Sequence, residues 1–160
     1  MLRERYAPVQ IRPFNPDDEN AVVELWRRCD LVRPYDPLRD IQRKLGVRPD
    51  LFLVGLLEGE VVASVMAGYE GHRGWLNYLA VVPELQRRGY ARAIVAEAER
   101  LLRGAGCPKI NLQIRTSNKG VIEFYRRLGY AIDDVVSMGK RFEQDERPAS
   151  REERIPGSDH

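Results

Sequence analysis

The chain has 160 residues, of which 43% are hydrophobic and 31% charged, a balance typical of a globular protein. This length supports one domain with a buried core, and no apolar run approaches the ~20 residues that span a membrane. The net charge is +2 and the arginine clusters are isolated pairs, so we expect neither a nucleic-acid partner nor a membrane partner.

The cysteine and histidine content excludes several classes of site. Cys29 and Cys107 have no metal-ligand spacing, and reduced thiols are favoured over a disulfide or a catalytic role. The two histidines are His72 and His160, so we expect no metal site. The beginning of the chain, MLRERYAPVQ, lacks the apolar region of a secretory signal, which favours a cytoplasmic protein.

The C-terminal residues differ in composition from the rest of the chain. Residues 143–160 hold three arginines against six acids, a net charge of −3, and residues 1–142 therefore carry +5. The last eighteen residues have almost nothing to bury. We predict a domain over residues 1–142 and a flexible charged tail over residues 143–160.

The first third of the chain predicts one strand and two helices. Residues 9–14 alternate apolar and polar side chains, which is typical of a strand. Asn15 then supplies a helix N-cap, followed by Pro16 and two acids at the positive end of the helix dipole. A second helix begins at Asp36 and ends at Gly46. The predicted buried stripes are Val22, Leu25, Trp26 and Cys29 on the first helix, and Leu38, Ile41 and Leu45 on the second.

The middle of the chain predicts a hairpin followed by a buried strand. Residues 51–57 and 61–69 are strand-like and flank Glu58-Gly59-Glu60, which is typical of a tight turn. Residues 75–82 read WLNYLAVV, and this apolar and aromatic run predicts a central strand buried on both faces.

The rest of the chain predicts a crossover to a parallel strand. A helix with a 3.6-residue apolar stripe ends at LLRGAG, whose last residue is Gly106. The next strand, residues 109–115, therefore runs parallel to residues 75–82. A further helix covers residues 119–128, and residues 130–142 supply the last strand or strands. The predicted fold is α/β, with a mixed, mostly antiparallel twisted sheet flanked by helices.

The loop between the central strand and the crossover helix predicts an anion site. It reads Gln86-Arg87-Arg88-Gly89-Tyr90-Ala91 and places successive backbone N–H groups at a helix start, where they have no intrahelical partner. Gly89 permits a positive φ, and the arginines add positive charge. A pyrophosphate fits this arrangement. The alternative is an ordinary strand–turn–helix connection with arginines on its surface.

Two segments resemble one known family. LAVVPELQRRGYARA resembles the acetyl-CoA-binding segment, (Q/R)xxGx(G/A), of the GNAT N-acetyltransferase superfamily, and NLQIRTSNKGVIEFYRRLGY resembles its second signature. The resemblance covers residues 9–142, and GHRGWLNYLAV, GCPKI and DVVSMGKR are similar to its bacterial YpeA type. It implies a single GNAT domain whose parallel central strands splay. It also implies acetyl-CoA as cosubstrate, an amine-bearing small molecule or peptide as acceptor, and a monomer or homodimer.

The resemblance also implies roles for particular residues. The amides of residues 87–92 are expected to hold the pyrophosphate, and the backbone of residues 79–81 to pair with the pantetheine arm and stabilise the oxyanion. Tyr125 is the expected general acid, with a half-buried helix aromatic as the alternative; Asn118 is expected near the pantetheine, with an N-cap as the alternative. The expected coenzyme-binding residues are Leu79, Ala80, Val81, Arg87, Arg88, Gly89, Tyr90, Ala91, Arg92 and Asn118.

The general base is less defined by the sequence. The ribosomal-protein alanine acetyltransferases of this superfamily carry a glutamate in the strand that matches residues 109–115, where this chain has Gln113. Glu70 is the nearest alternative carboxylate, and Tyr78 or a water held by Asn77 are further possibilities. A non-catalytic acyl-CoA-binding regulatory module therefore remains an alternative function, as does a protein-interaction domain with a fortuitous loop.

Overall fold

The computed structural model describes residues 7–32 and 36–144, and most of the predicted tail lies outside them. Five strands form one sheet in the order β1-β2-β3-β4-β5, antiparallel except for the parallel pair β4–β5. The strands are β1 (Gln10–Pro13), β2 (Phe52–Leu57), β3 (Glu60–Tyr69), β4 (Gly74–Val81) and β5 (Ile110–Asn111). The helices are α1 (Glu19–Arg28), α2 (Pro37–Leu45), α3 (Tyr90–Gly104) and α4 (Lys119–Arg127). The predicted α/β class with a mixed sheet is confirmed.

Local signals in the sequence define the starts of the first elements. The side chain of Asn15 accepts a hydrogen bond from the Asp17 amide at 3.1 Å, and the Asp18 carboxylate accepts one from the Asn15 amide at 3.0 Å. Arg12 at the end of β1 also binds Asp18 at 2.6 Å, and this hydrogen bond lowers the pKa of the carboxyl. The predicted N-cap is confirmed, and it ties β1 to α1.

The hairpin between β2 and β3 has the predicted turn. Glu58 and Gly59 both have positive φ, +50° and +81°, as a two-residue turn between right-twisted strands requires. Leu57 pairs with Glu60 directly across this turn.

Helices cover both faces of the sheet and form two apolar layers. Successive strand residues point to opposite faces, so Leu53 packs with α3 and α4 whereas Phe52 packs with α1 and α2. The fully buried side chains include Ile94, Val95, Ala98 and Leu102 of α3, and Val22 and Trp26 of α1. The predicted stripes of these two helices are confirmed. No helix among the described residues is long and apolar enough to cross a membrane.

Two predictions of burial are wrong in part. Trp75 is 37% exposed and Asn77 is exposed, so the first half of β4 is buried on one face. The reason is that α1 reaches the later part of β4, where Trp26 stacks on Tyr78. On α2 the predicted stripe reduces to Ile41, because Leu38 and Leu45 lie at the surface.

Two predictions of strands are also wrong. The predicted strand at residues 109–115 is paired at Ile110 and Asn111 alone, and residues 130–142 form no strand. Side chains, rather than backbone groups, connect these two segments: Lys109 and Asn111 bind Asp133.

An irregularity in β4 is held by a polar network that is partly buried. The register with β3 shifts between Ser64 and Met66, and Tyr78 opposite has a φ of +52°. The Tyr78 ring stacks on Trp26 with centroids 4.0 Å apart, and its hydroxyl donates to Asp40 at 2.6 Å. Buried Ser64 accepts from Trp26 Nε1 at 2.8 Å and donates to the Tyr78 carbonyl at 2.9 Å. The network fixes a strained backbone conformation that the strand would not otherwise adopt.

This network generates a prediction about stability. Ser64→Ala removes both hydrogen bonds and leaves the Trp26 N–H and the Tyr78 carbonyl without their partner, so we expect a loss of about 2 kcal/mol in the free energy of unfolding. Urea denaturation measures it. Ser117→Ala, at an exposed serine, is the control and should change stability by less than about 0.5 kcal/mol. Equal stability of the Ser64→Ala variant and the parent would show that the network does not hold the bulge.

Candidate functional site

The site begins where β4 loses its neighbour. Pairing between β4 and β5 ends at Trp75 and Asn111, so the rest of this edge of β4 has no partner strand among the described residues. Val82 donates to Val62 of β3 at 2.9 Å. Because backbone groups alternate between the two edges of a strand, Ala80 also faces β3, whereas Leu79 and Val81 face the open edge. Two of the three predicted strand residues therefore have backbone groups available.

The turn that follows β4 presents free amides at the start of α3. Gly89 has a φ of +88° and stands at the N-cap without a side-chain cap. No other described residue accepts a hydrogen bond from the amides of Gly89, Tyr90, Ala91 or Arg92. A Cβ added at Gly89 would meet nothing within 4 Å, so the turn is open to a ligand. These amides and the helix dipole favour an anion here.

The side chains around this turn divide into an anchor and a charged rim. Tyr90 is 5% exposed, and its hydroxyl donates to the Ala7 carbonyl at 3.0 Å. It therefore offers a ligand its backbone rather than its ring. Arg87, Arg88 and Arg92 are exposed, and their charge adds to the attraction for a multiply charged anion.

Tyr125 lies inside the protein on α4. It is 5% exposed and belongs to the same buried cluster as Val81 and Tyr90. Its ring packs edge to face against Phe124 and Tyr130, at centroid distances of 5.0 and 5.2 Å. Burial raises the pKa of its hydroxyl above the ordinary value of 10, so the group stays protonated at neutral pH. The hydroxyl forms no hydrogen bond with another described residue.

Tyr125 also borders a cavity of about 1180 Å³ that neither the Gly89 turn nor residues 79–81 line. Tyr125 therefore shares a buried cluster with Val81 and Tyr90 but does not line one pocket with the free amides.

Three other predicted residues have structural partners. The Asn118 side chain accepts a hydrogen bond from the Val121 amide at 3.3 Å, which is the N-cap alternative. The Glu70 carboxylate accepts from the amides of His72 at 2.7 Å and Arg73 at 2.5 Å. The side chain of Gln113 binds Ser137.

The position of Glu70 separates it from the open edge. It follows Tyr69, which pairs with Gly74 at the end of β4 that is still joined to β5. Leu79 lies five residues further, about 17 Å along the strand. The carboxylate predicted from the sequence therefore lies at the end of β4 that is joined to β5, away from Leu79 and Val81.

The sequence does not reveal Ser64 and Asp40, which hold Tyr78 at this edge. It indicates only that Trp26 lies on the buried face of the first helix. A signal existed for Ser64, because it is a lone hydroxyl in the apolar strand VVASVMAG and a buried hydroxyl needs a partner. Nothing local indicates that Asp40 meets Tyr78, since 38 residues separate them.

The sequence matches a family of known proteins. The family described as "Acetyltransferase (GNAT) family" matches residues 19–130. The chain is 49% identical over 138 residues to an acetyltransferase of Pectobacterium atrosepticum, covering 86% of this chain and 98% of the relative. It is also 49% identical over 140 residues to an acetyltransferase of Sodalis glossinidius, covering 86% of this chain and 99% of that relative.

Solved structures show the same fold at low identity. Ard1 from Thermoplasma volcanium is 23% identical, with a TM-score of 0.67 over 79% of this chain and 85% of that one. The protein AAC(6')-Iy, in complex with the bisubstrate analog CoA-S-monomethyl-acetylneamine, is 19% identical. Its TM-score is 0.69 over 84% of this chain and 99% of that one. With the family match and the 49% identical relatives, the conclusion is that this chain belongs to the GNAT acetyltransferase family.

Proposed function

We propose that the protein transfers the acetyl group of acetyl-CoA to an amine, with the coenzyme pyrophosphate on the amides of residues 89–92. The observation that carries the proposal is the continuity of two unpartnered sets of backbone groups. The open edge of β4 ends at Val81, and the free amides of the α3 start follow eight residues later in the chain. A flexible arm with a diphosphate at one end matches this arrangement.

The arm of the coenzyme lies along β4 as an added strand would. The Val81 carbonyl already accepts hydrogen bonds from Gln86 at 3.1 Å and from Cys29 at 3.3 Å. Its N–H, and the backbone of Leu79, are the groups left for the arm. Ala80 contributes its small side chain and not its backbone. This side chain is buried against the layer that α1 and α2 form.

The chemistry is direct attack by a neutral amine on the thioester carbonyl. A C–N bond forms and the C–S bond breaks, and the oxyanion in between is stabilised by an N–H on the free edge near the Tyr78 bulge. Tyr125, whose hydroxyl is protonated at neutral pH, gives its proton to the leaving thiolate. The proton lost by the amine goes to a water held near Asn77, because two turn amides already bind the Glu70 carboxylate.

A non-catalytic acyl-CoA-binding module is favoured by one specific observation. Glu70, the candidate general base, accepts hydrogen bonds from two turn amides. Gln113, at the position of the glutamate of related enzymes, is an amide and not a carboxylate. The neighbour AAC(6')-Iy is bound to an analog that contains an acetylneamine part, which makes aminoglycosides a reasonable part of an acceptor panel. Free thiol released from acetyl-CoA by at least one amine in a panel of aminoglycosides, polyamines, amino acids and peptides supports the enzyme; coenzyme binding without thiol release supports the module.

The proposal generates two predictions, the first of which concerns the coenzyme. Gly89→Glu should abolish detectable binding of acetyl-CoA and of CoA, because the side chain fills the open turn and adds a negative charge beside the pyrophosphate. Isothermal titration calorimetry measures both ligands.

Gly106→Glu is the matched control for this substitution. Gly106 lies just beyond the other end of α3, has a φ of +90°, and has nothing within 4 Å of an added Cβ. It therefore carries the same strain and the same added charge at a remote place. Unchanged affinity in the Gly89→Glu variant would contradict the placement of the pyrophosphate, and equal loss in both variants would assign the effect to general electrostatics or strain.

The second prediction concerns the acid. Tyr125→Phe should lower kcat by about 10²-fold or more with little change in the dissociation constant of acetyl-CoA, because it removes a proton donor used in the transition state. Steady-state thiol release and calorimetry measure the two quantities. Tyr69→Phe removes a hydroxyl that binds the Gly71 and Gly106 carbonyls, away from α4, and serves as control. Turnover of Tyr125→Phe equal to that of the control would remove Tyr125 from the mechanism.

A further inference from the structure

The face of the sheet on which α1 and α2 pack is uncovered near the start of β4. Gly68 of β3 pairs with Trp75 of β4, and the next pair on this face is Met66 with Asn77. Paired residues of antiparallel strands point to the same face, and Met66 belongs to the layer of α1 and α2. Trp75 and Asn77 therefore point to that side, yet Trp75 is 37% exposed and Asn77 is exposed as well. We call Gly68, Trp75 and Asn77 the Trp75 patch.

Lys44, in the last turn of α2, places a positive charge beside the Trp75 patch. Its Nζ lies 4.0 Å from the position that a Cβ of Gly68 would occupy, and it donates to the Ala67 carbonyl at 2.5 Å. The side chain is half-buried, and burial lowers the pKa of its ammonium group.

The charge of Lys44 has no counterion within the described ranges, where the one partner of Nζ is the neutral Ala67 carbonyl. The neighbouring acidic side chains are already bound by other groups: Asp40 by Tyr78, Asp50 by Arg48, Glu70 by two turn amides and Asp133 by Lys109. A partly buried cation that lacks a counterion favours an anionic ligand.

The donors of the Trp75 patch define the kind of anion. The indole N–H of Trp75 and the side-chain amide of Asn77 form no hydrogen bond with another described residue. Together with Lys44 they offer one positive charge and several N–H groups, which suits a carboxylate. A phosphate dianion would keep an uncompensated charge beside a single cation. The ring of Trp75 adds an apolar surface for the body of the ligand.

The distance to the bulge defines the length of the ligand. Tyr78, beside which the thioester carbonyl is proposed to lie, follows Trp75 by three residues, about 10 Å along a strand. An extended peptide of about three residues covers the same distance between its α-amine and its carboxylate. An α-amine has an ordinary pKa of about 7.7–8.0, so it needs a strong base less than a lysine side chain does.

We propose that the acceptor is a short peptide whose C-terminal carboxylate binds Lys44 beside Trp75 and Asn77, and whose α-amine receives the acetyl group. The proposal rests on the proposed acetyl transfer and adds the class of acceptor. A C–N bond forms at the α-amine and the C–S bond of the thioester breaks. The amine gives its proton to water, and the leaving thiolate takes a proton from Tyr125.

Two matched peptides test the carboxylate contact on the unmodified protein. Triglycine and triglycine amide carry the same α-amine, but the second has no C-terminal charge. Thiol release from acetyl-CoA gives kcat/KM for each peptide, and triglycine should be preferred by about tenfold or more, because the amide loses a hydrogen bond between charged groups. Equal values for the two peptides, or use of other amines but of neither peptide, would overturn this proposal and leave acetyl transfer standing. No thiol release with any amine of the panel would overturn both.

Substitution of Lys44 tests which residue reads the carboxylate. Lys44→Met should remove the preference for triglycine and leave kcat/KM for triglycine amide nearly unchanged, whereas Lys44→Arg keeps the charge and should retain most of the preference. Lys119→Met is the matched control, because Lys119 is an exposed lysine on α4, in the other layer, and it should keep the full preference. An undiminished preference in Lys44→Met, or an equal loss in Lys119→Met, would overturn the assignment of the carboxylate to Lys44.

Discussion

The early end of pairing between β4 and β5 is the constraint on which the candidate site depends. Two residues of each strand pair, and the neighbouring segment then diverges. β4 keeps its place because β3 pairs with its other edge and because Trp26, Ser64 and Asp40 hold Tyr78 at the bulge. The result is a strand whose one edge is paired with β3 and whose other edge has backbone groups without a partner strand, an arrangement that a ligand can complete.

Rigid and open parts are combined along this edge. The network beneath the bulge joins buried Ser64 and Trp26 to half-buried Tyr78 and Asp40, and it holds a positive φ at Tyr78. The Gly89 turn is exposed, and no described residue accepts hydrogen bonds from its amides. Tyr90 belongs to both the rigid and the open part. Its side chain anchors the start of α3 in the core, and its amide remains available to a ligand. The proposed site therefore offers a ligand mainly backbone atoms on a fixed frame.

Features encoded by neighbouring residues could be predicted from the sequence. The cap at Asn15, the turn at Glu58-Gly59 and the glycine at the start of α3 each depend on the conformational preferences of a few adjacent residues. The extent of β5 and the state of residues 130–142 could not, since both depend on how far two distant backbones separate. The partners of Glu70 could not be predicted either. Glu70 is acidic and near β4 in the sequence, but its carboxylate accepts hydrogen bonds from amides of the turn that it begins.

The central claim is that the open edge of β4 and the amides of the α3 start form one continuous coenzyme site. Residue-resolved amide hydrogen exchange with and without acetyl-CoA tests it most directly. Slower exchange with acetyl-CoA at Gly89–Arg92, Leu79 and Val81, with no change in the turn at Glu58 and Gly59, is the result that the account predicts. Binding of acetyl-CoA without added protection at these amides would contradict it.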